Sequence, residues 1–179
     1  MPDPWQPLDL GVAGPLRDAP REAAERAFAT LMAVRSVRCQ ALSALATHDG
    51  ISLAGDRATV VLGEWLAATA AAAGLDAIDG AQAPRFAGLA VDAALWLGER
   101  IIDRAAAAGG ALRWELYTGV KKSTGYQRAV LTGFRKVADA RYYVDVAHFV
   151  ASWLELCARR RAARTDFLAT IEETTVADA

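Results

Sequence analysis

Apolar and polar positions change their period along this chain, and each change marks an element. From about residue 20 to 47 the spacing is helical. Ala27, Leu31, Val34, Val37, Ala41 and Leu45 fall on one stripe, flanked by Phe28 and Leu42. Pro20 suits a first helical position, with Glu22 and Glu25 near the positive end of the helix dipole. The Thr47-His48-Asp49-Gly50 run then ends the helix. A second helix is expected after Gly55, with Asp56 as its N-cap and Gly74 as its end. Residues 75–84 read as a loop, with Pro84 at the entrance to a third helix over about 85–108. That helix is apolar around most of its circumference (Phe86, Leu89, Val91, Leu95, Leu97, Ile101), which predicts a central position. Its narrow polar stripe is Asp92, Trp96, Glu99 and Asp103, and Gly109-Gly110 stops it.

The period then shortens to two. Over 112–117 apolar residues alternate with charged ones, the mark of a half-buried strand. Residues 126–134 read as a second strand, joined to the first by a hairpin loop over 118–125. Tyr142-Tyr143-Val144 reads as a short third strand. Asp145 caps a last helix with Val146, Phe149, Val150, Trp153, Leu154 and Cys157 on its inner face, continuing past Arg159–Arg161 towards Ile171. Five of the six prolines fall in the first twenty residues, so 1–19 is expected to be an arm, pinned by Trp5 and Leu8. Residues 20–173 form one domain, and the acidic end, 174–179, is expected to fray. The predicted fold is α+β and mainly helical, with about four long helices packed on a two- to three-stranded antiparallel sheet. One sheet face is left as a binding surface.

Composition adds exclusions. The 179 residues include 54% hydrophobic ones, which rules out disorder as a whole-chain state, although 41 of them are alanine and bury little area. Lys+Arg number 20 against 21 Asp+Glu, a net charge of -1, so the basic excess of a dedicated nucleic-acid binder is missing. The first residues have neither the basic nor the apolar region of a leader. The longest charge-free apolar stretch, Trp65 to Leu75, is shorter than the roughly 20 residues a membrane span requires. Cys39 and Cys157 sit in apolar helical patterns and read as free buried thiols. Together these point to the cytoplasm, with no membrane partner. His48 and His148 are far apart and no cysteine pair is close, so no metal or cofactor is expected. The 119–125 run, Gly-Val-Lys-Lys-Ser-Thr-Gly, lacks the glycine spacing of a phosphate loop, and no nucleophile elbow or dinucleotide fingerprint is present.

Four constellations carry candidate chemistry. Arg38 lies inside an apolar stripe, where an unpaired charge is costly, so a carboxylate partner is expected: Glu99 first, Glu64 second. The alternative is an anion-binding arginine in a cleft. The acidic stripe Asp92, Glu99 and Asp103 could hold a hard cation, or serve as a solvated face or as partners for arginines. In the hairpin, Trp114, Tyr117, Lys121, Lys122, Tyr126 and Arg128 interleave basic and aromatic residues, as stacking and phosphate contacts require. Alternation equally puts the charges on a wet face and the rings in the core. His148 near Asp145 could form an acid–base pair, or a hydrogen-bonded packing contact.

The run Leu97-Gly98-Glu99-Arg100-Ile101-Ile102, followed by Leu112-Arg113-Trp114-Glu115, resembles a loose group of uncharacterised bacterial domains. In these a helix ending in Leu-Gly-Glu precedes a strand bearing Trp, a second strand and a helix. The resemblance covers about 86–155 and implies an α+β fold in a small cytoplasmic bacterial protein, with no catalytic residues to carry over. The first functional expectation is a non-catalytic interaction or ligand-binding domain, taking a protein partner or a small anionic ligand at the hairpin or in a cleft beside it. The alternative is a small enzyme using a pocket with Arg38, Glu99 or His148. Weak nucleic-acid binding through the hairpin is third. Trp96 among acidic positions marks an apolar contact, within the chain or between copies.

Overall fold

The computed structural model describes residues 5–161 and 164–179. Residues 1–4 of the expected arm, and 162–163 within the expected last helix, lie outside the described residues. The chain forms α1 (Arg21–His48), α2 (Ala58–Ala73), α3 (Ala83–Ala107), β1 (Arg113–Leu116), β2 (Ala129–Thr132), α4 (Val146–Ala158) and α5 (Phe167–Asp178). Short 3-10 turns stand at Leu16–Asp18 and Gly74–Ala77. The architecture is α+β and mainly helical, with a two-stranded antiparallel sheet, as the two hydropathic periods predict.

Helix α3 is the hub. It packs against α1, α4 and α5, and α2 closes the other side of α4 and α5. Leu89, Ala93, Leu97, Ile101 and Ala105 are wholly buried along it. Small residues let elements approach closely: a Cβ on Gly98 would overlap the Trp114 indole, and one on Gly63 would lie 2.6 Å from the Thr165 carbonyl oxygen. Pro84 sits in the first turn of α3, where its missing N–H costs nothing.

Several boundaries differ from the sequence reading. Pro20 is the residue before α1, and Arg57, not Asp56, precedes α2. On α1 the inward face is Ala27, Leu31, Leu42 and Leu45, whereas Val37 is 64% exposed. The second strand starts at Ala129, because Gln127 adopts a left-handed backbone (φ 58°) and Arg128 N–H closes a turn on the Gly125 carbonyl at 2.9 Å. In register, Trp114 faces Leu131 and Arg113 faces Thr132. The expected third strand reduces to one bridge, Val144 to Leu131.

The expected long last helix is two helices. Its first part closes in a Schellman turn: Arg160 N–H meets the Cys157 carbonyl at 2.9 Å and Arg161 N–H the Leu156 carbonyl at 3.1 Å. Nor is the C-terminus frayed. Helix α5 runs to Asp178 with Glu172, Thr175 and Ala179 buried, and Lys136 Nζ donates to the Ala177 carbonyl at 3.0 Å. The span Ala58–Ala77 is, by length and composition, long and apolar enough to cross a membrane. A count of charge-free residues misses it because Glu64 interrupts the run. In the fold its Leu62, Trp65, Leu66 and Ala70 belong to the core.

Candidate functional site

Arg38 does meet a carboxylate, but it is Asp92 rather than Glu99 or Glu64. Arg38 Nε donates to Asp92 Oδ1 at 2.8 Å and its second nitrogen to Oδ2 at 2.5 Å, a two-pronged pair between α1 and α3. The Trp5 indole N–H also donates to Asp92 Oδ2, at 2.8 Å, and the Arg38 guanidinium carbon lies 5.3 Å from the Trp5 ring centre. Burial pushes the Asp92 carboxyl above its ordinary range, and the Arg38 and Trp5 hydrogen bonds oppose that shift without cancelling it. The cluster staples the arm to the helices and leaves no free charge for a ligand.

Glu99 serves a different neighbour. It accepts from the Trp114 indole N–H at 2.8 Å and lies 3.4 Å from Arg35 Nε. Glu64 is exposed on α2. The groove that Glu99 shares with Ser36, Cys39, Trp96, Asp103 and Arg104 is about 390 Å³. Burial, with Glu99 and Asp92 nearby, pushes the Cys39 thiol up to about 11, which favours its protonated form. The acidic stripe is dispersed, since Asp92 and Glu99 have separate partners. Among the described residues no group of three His, Cys, Asp or Glu could hold a metal ion.

The hairpin aromatics turn towards protein. Trp114 is half-buried against Gly98, and Tyr117 packs its ring on Tyr143 at 4.3 Å. Tyr126 is half-buried, whereas Lys121 and Lys122 are exposed. The rings and the lysines therefore do not form one stacking surface.

Arg128 and His148 come together in a cleft of about 280 Å³, lined with Pro15, Leu16, Arg17 and Thr124. Four separate segments build it: the arm, the hairpin loop, the residue preceding β2, and the first turn of α4. The arm is set by Gln127, a buried side chain whose amide donates to the carbonyls of Leu16 (2.7 Å) and Ala19 (2.9 Å), fixing the 3-10 turn that carries Arg17. Thr124 is held from behind, where the Tyr143 hydroxyl bonds to Ser123 and accepts from Gly125 N–H at 3.3 Å.

Asp145 caps α4, its Oδ1 accepting from the His148 N–H at 2.9 Å. Its Oδ2 is buried and lies 3.2 Å from Arg128 Nε, too poorly aligned to count as a hydrogen bond. Burial raises the Asp145 carboxyl, with Arg128 pulling the other way. Arg17 has no ion-pair or hydrogen-bond partner for its side chain among the described residues. The cleft thus offers two guanidinium groups, a hydroxyl and an imidazole against one buried, misaligned carboxylate.

Arg38, Glu99 and His148 are distributed over three places: the Asp92 staple, the α1–α3 groove and this cleft. The sequence pattern singles out neither Arg17 nor Gln127, and it places Asp92 on the acidic stripe, among partners for arginines, without matching it to Arg38. Arg17 lies among prolines with no pattern around it, and Gln127 acts through a backbone shape that residue type does not signal. No family model, curated protein or solved structure matches the chain.

Proposed function

We propose that this protein is a non-catalytic ligand-binding domain, and that its ligand is a small anion seated among Arg17, Thr124, Arg128 and His148. The observation that carries this reading is the convergence of Arg17, Arg128 and His148 from distant parts of the chain on one cleft, with Arg17 left without a counter-charge among the described residues. Guanidinium groups bind carboxylate and phosphate oxygens through charge-assisted hydrogen bonds, roughly twice as strong as neutral ones. At about 280 Å³ the cleft is below the usual range for drug-sized ligands, roughly 300–1,000 Å³, and suits phosphate or a short dicarboxylate. The free cysteines, one half-buried and one buried, accord with a reducing, cytoplasmic setting as part of the same proposal.

Titration calorimetry with inorganic phosphate and with succinate, at fixed ionic strength, tests the proposal. Saturable binding of at least one is expected, weakened about tenfold (about 1.4 kcal/mol) by Arg17→Ala and by His148→Ala. Identical binding in both variants, or no heat with either anion, would refute it.

A further inference from the structure

A second cavity has the opposite character. Between the Gly74–Ala77 turn, α3 and α4 lies a crevice of about 180 Å³ walled by Ala77, Ile78, Phe86, Ala90, Ala151 and Leu154. Among the described residues Glu155 is the only charged one in its lining, and it is already bonded to Arg159 at 3.0 Å. At Ala158 the crevice adjoins a wider, shallow concavity of about 530 Å³. Its floor is Gly74, Leu75 and Ala158, and its rim is Arg159, Arg160 and Arg161. Leu75 is 60% exposed, so apolar surface continues outside the crevice.

The rim is charged and largely unneutralised. Among the described residues the side chains of Arg160 and Arg161 have neither an ion-pair nor a hydrogen-bond partner. Arg160 is also held in an unusual backbone. It occupies the left-handed position (φ 52°) of the Schellman turn that ends α4, while the corresponding turns of α1 and α3 use Gly50 and Gly109. An arginine here forgoes the backbone ease of glycine, which is consistent with a use for its side chain.

We propose that this crevice and its arginine rim bind an amphipathic anion: a short aliphatic chain carrying a carboxylate or phosphate. The chain lies against Phe86, Ala90 and Leu154, gaining the free energy of apolar burial. The head group meets Arg160 and Arg161, whose forked donors match carboxylate and phosphate oxygens. The ligand can come from solution or from an anionic bilayer, because the recognised chemistry is the same. This site is separate from the Arg17 cleft and does not depend on it.

Calorimetry on the full chain tests the proposal with octanoate, octyl phosphate, octanol and acetate, each below its aggregation concentration. Octanoate or octyl phosphate is expected to bind, with octanol (no charge) and acetate (no chain) at least about tenfold weaker. The double variant Arg160→Gly/Arg161→Ala should lose about tenfold or more while melting no lower than the parent, since glycine suits the backbone at 160. Ala151→Leu, which narrows the crevice from an exposed position, should weaken the same ligands, and Arg17→Ala should not. A parallel sedimentation with phosphatidylglycerol vesicles distinguishes the sources: capture of the protein beside octanoate binding assigns the ligand to the bilayer, and octanoate binding alone assigns it to solution. Acetate binding as well as octanoate, full retention of affinity in the double variant, or capture by vesicles with no binding of either monomeric amphiphile would overturn the proposal.

Discussion

Asp92 is fully buried, and two donors from different parts of the chain share its carboxylate: Arg38 on α1 and Trp5 on the arm. Removing one partner of a buried pair strands the other in a low-dielectric site, at a cost of about 3–5 kcal/mol. Arg38→Ala is therefore expected to destabilise the fold by about 3 kcal/mol at neutral pH, read by urea unfolding. The sign of its pH dependence follows from the upward shift of Asp92. A carboxyl raised on folding contributes most below its unfolded value (3.8), and that contribution is lost as pH rises through the folded value. Without Arg38 the shift grows, so the penalty of Arg38→Ala should shrink between pH 7 and pH 4. A penalty that is flat or larger at pH 4 would contradict this assignment. At this scale the sequence reveals a need and hides the partner. A charge inside an apolar stripe demands a counter-charge, but the choice between Asp92 and Glu99, two turns apart on α3, depends on where α1 lies along α3. Glu99 is instead occupied by Trp114, a contact set by the chain's return after Gly109-Gly110.

Element by element, periodicity served well wherever packing follows it. The three N-terminal helices and the hairpin stand where the change of period placed them, within a few residues. It failed where a backbone conformation decides. The left-handed residues Gln127 and Arg160 shorten β2 and end α4, and neither is a residue type that announces such a turn. The C-terminal residues stay helical for another reason: Glu172, just before the end expected to fray, is buried and receives Arg100 at 2.8 Å and Arg104 at 2.7 Å, partners from α3 that linear sequence does not connect to it. The left-handed Arg160 gives a prediction of its own. Arg160→Gly should stabilise the protein by about 0.5 kcal/mol, the αL cost of about 1–2 kcal/mol less the greater chain entropy of glycine. For a chain of this size that is about 1–2 °C in Tm by calorimetric melting. A lower Tm would show that the arginine side chain stabilises the turn more than its backbone strains it.

Over the whole molecule, the near-zero net charge conceals a division of labour. Acidic groups in the interior, Asp92, Asp145 and Glu172, are matched with arginines brought from other elements. Among the described residues several arginines have no carboxylate partner, and three of these, Arg17 on the arm and Arg160 and Arg161 at the end of α4, border cavities. Placing Arg17 takes the arm turn, Gln127, the hairpin and α4 together, so that cleft belongs to the fold and not to any local motif. Its occupancy by a small anion is the central claim, and amide chemical-shift mapping during a phosphate titration tests it most directly. Saturable shifts centred on Arg17, Thr124, Arg128 and His148, and absent there in Arg17→Ala, are predicted. Shifts confined to Lys121 and Lys122, or no saturable shift in the cleft, would contradict it.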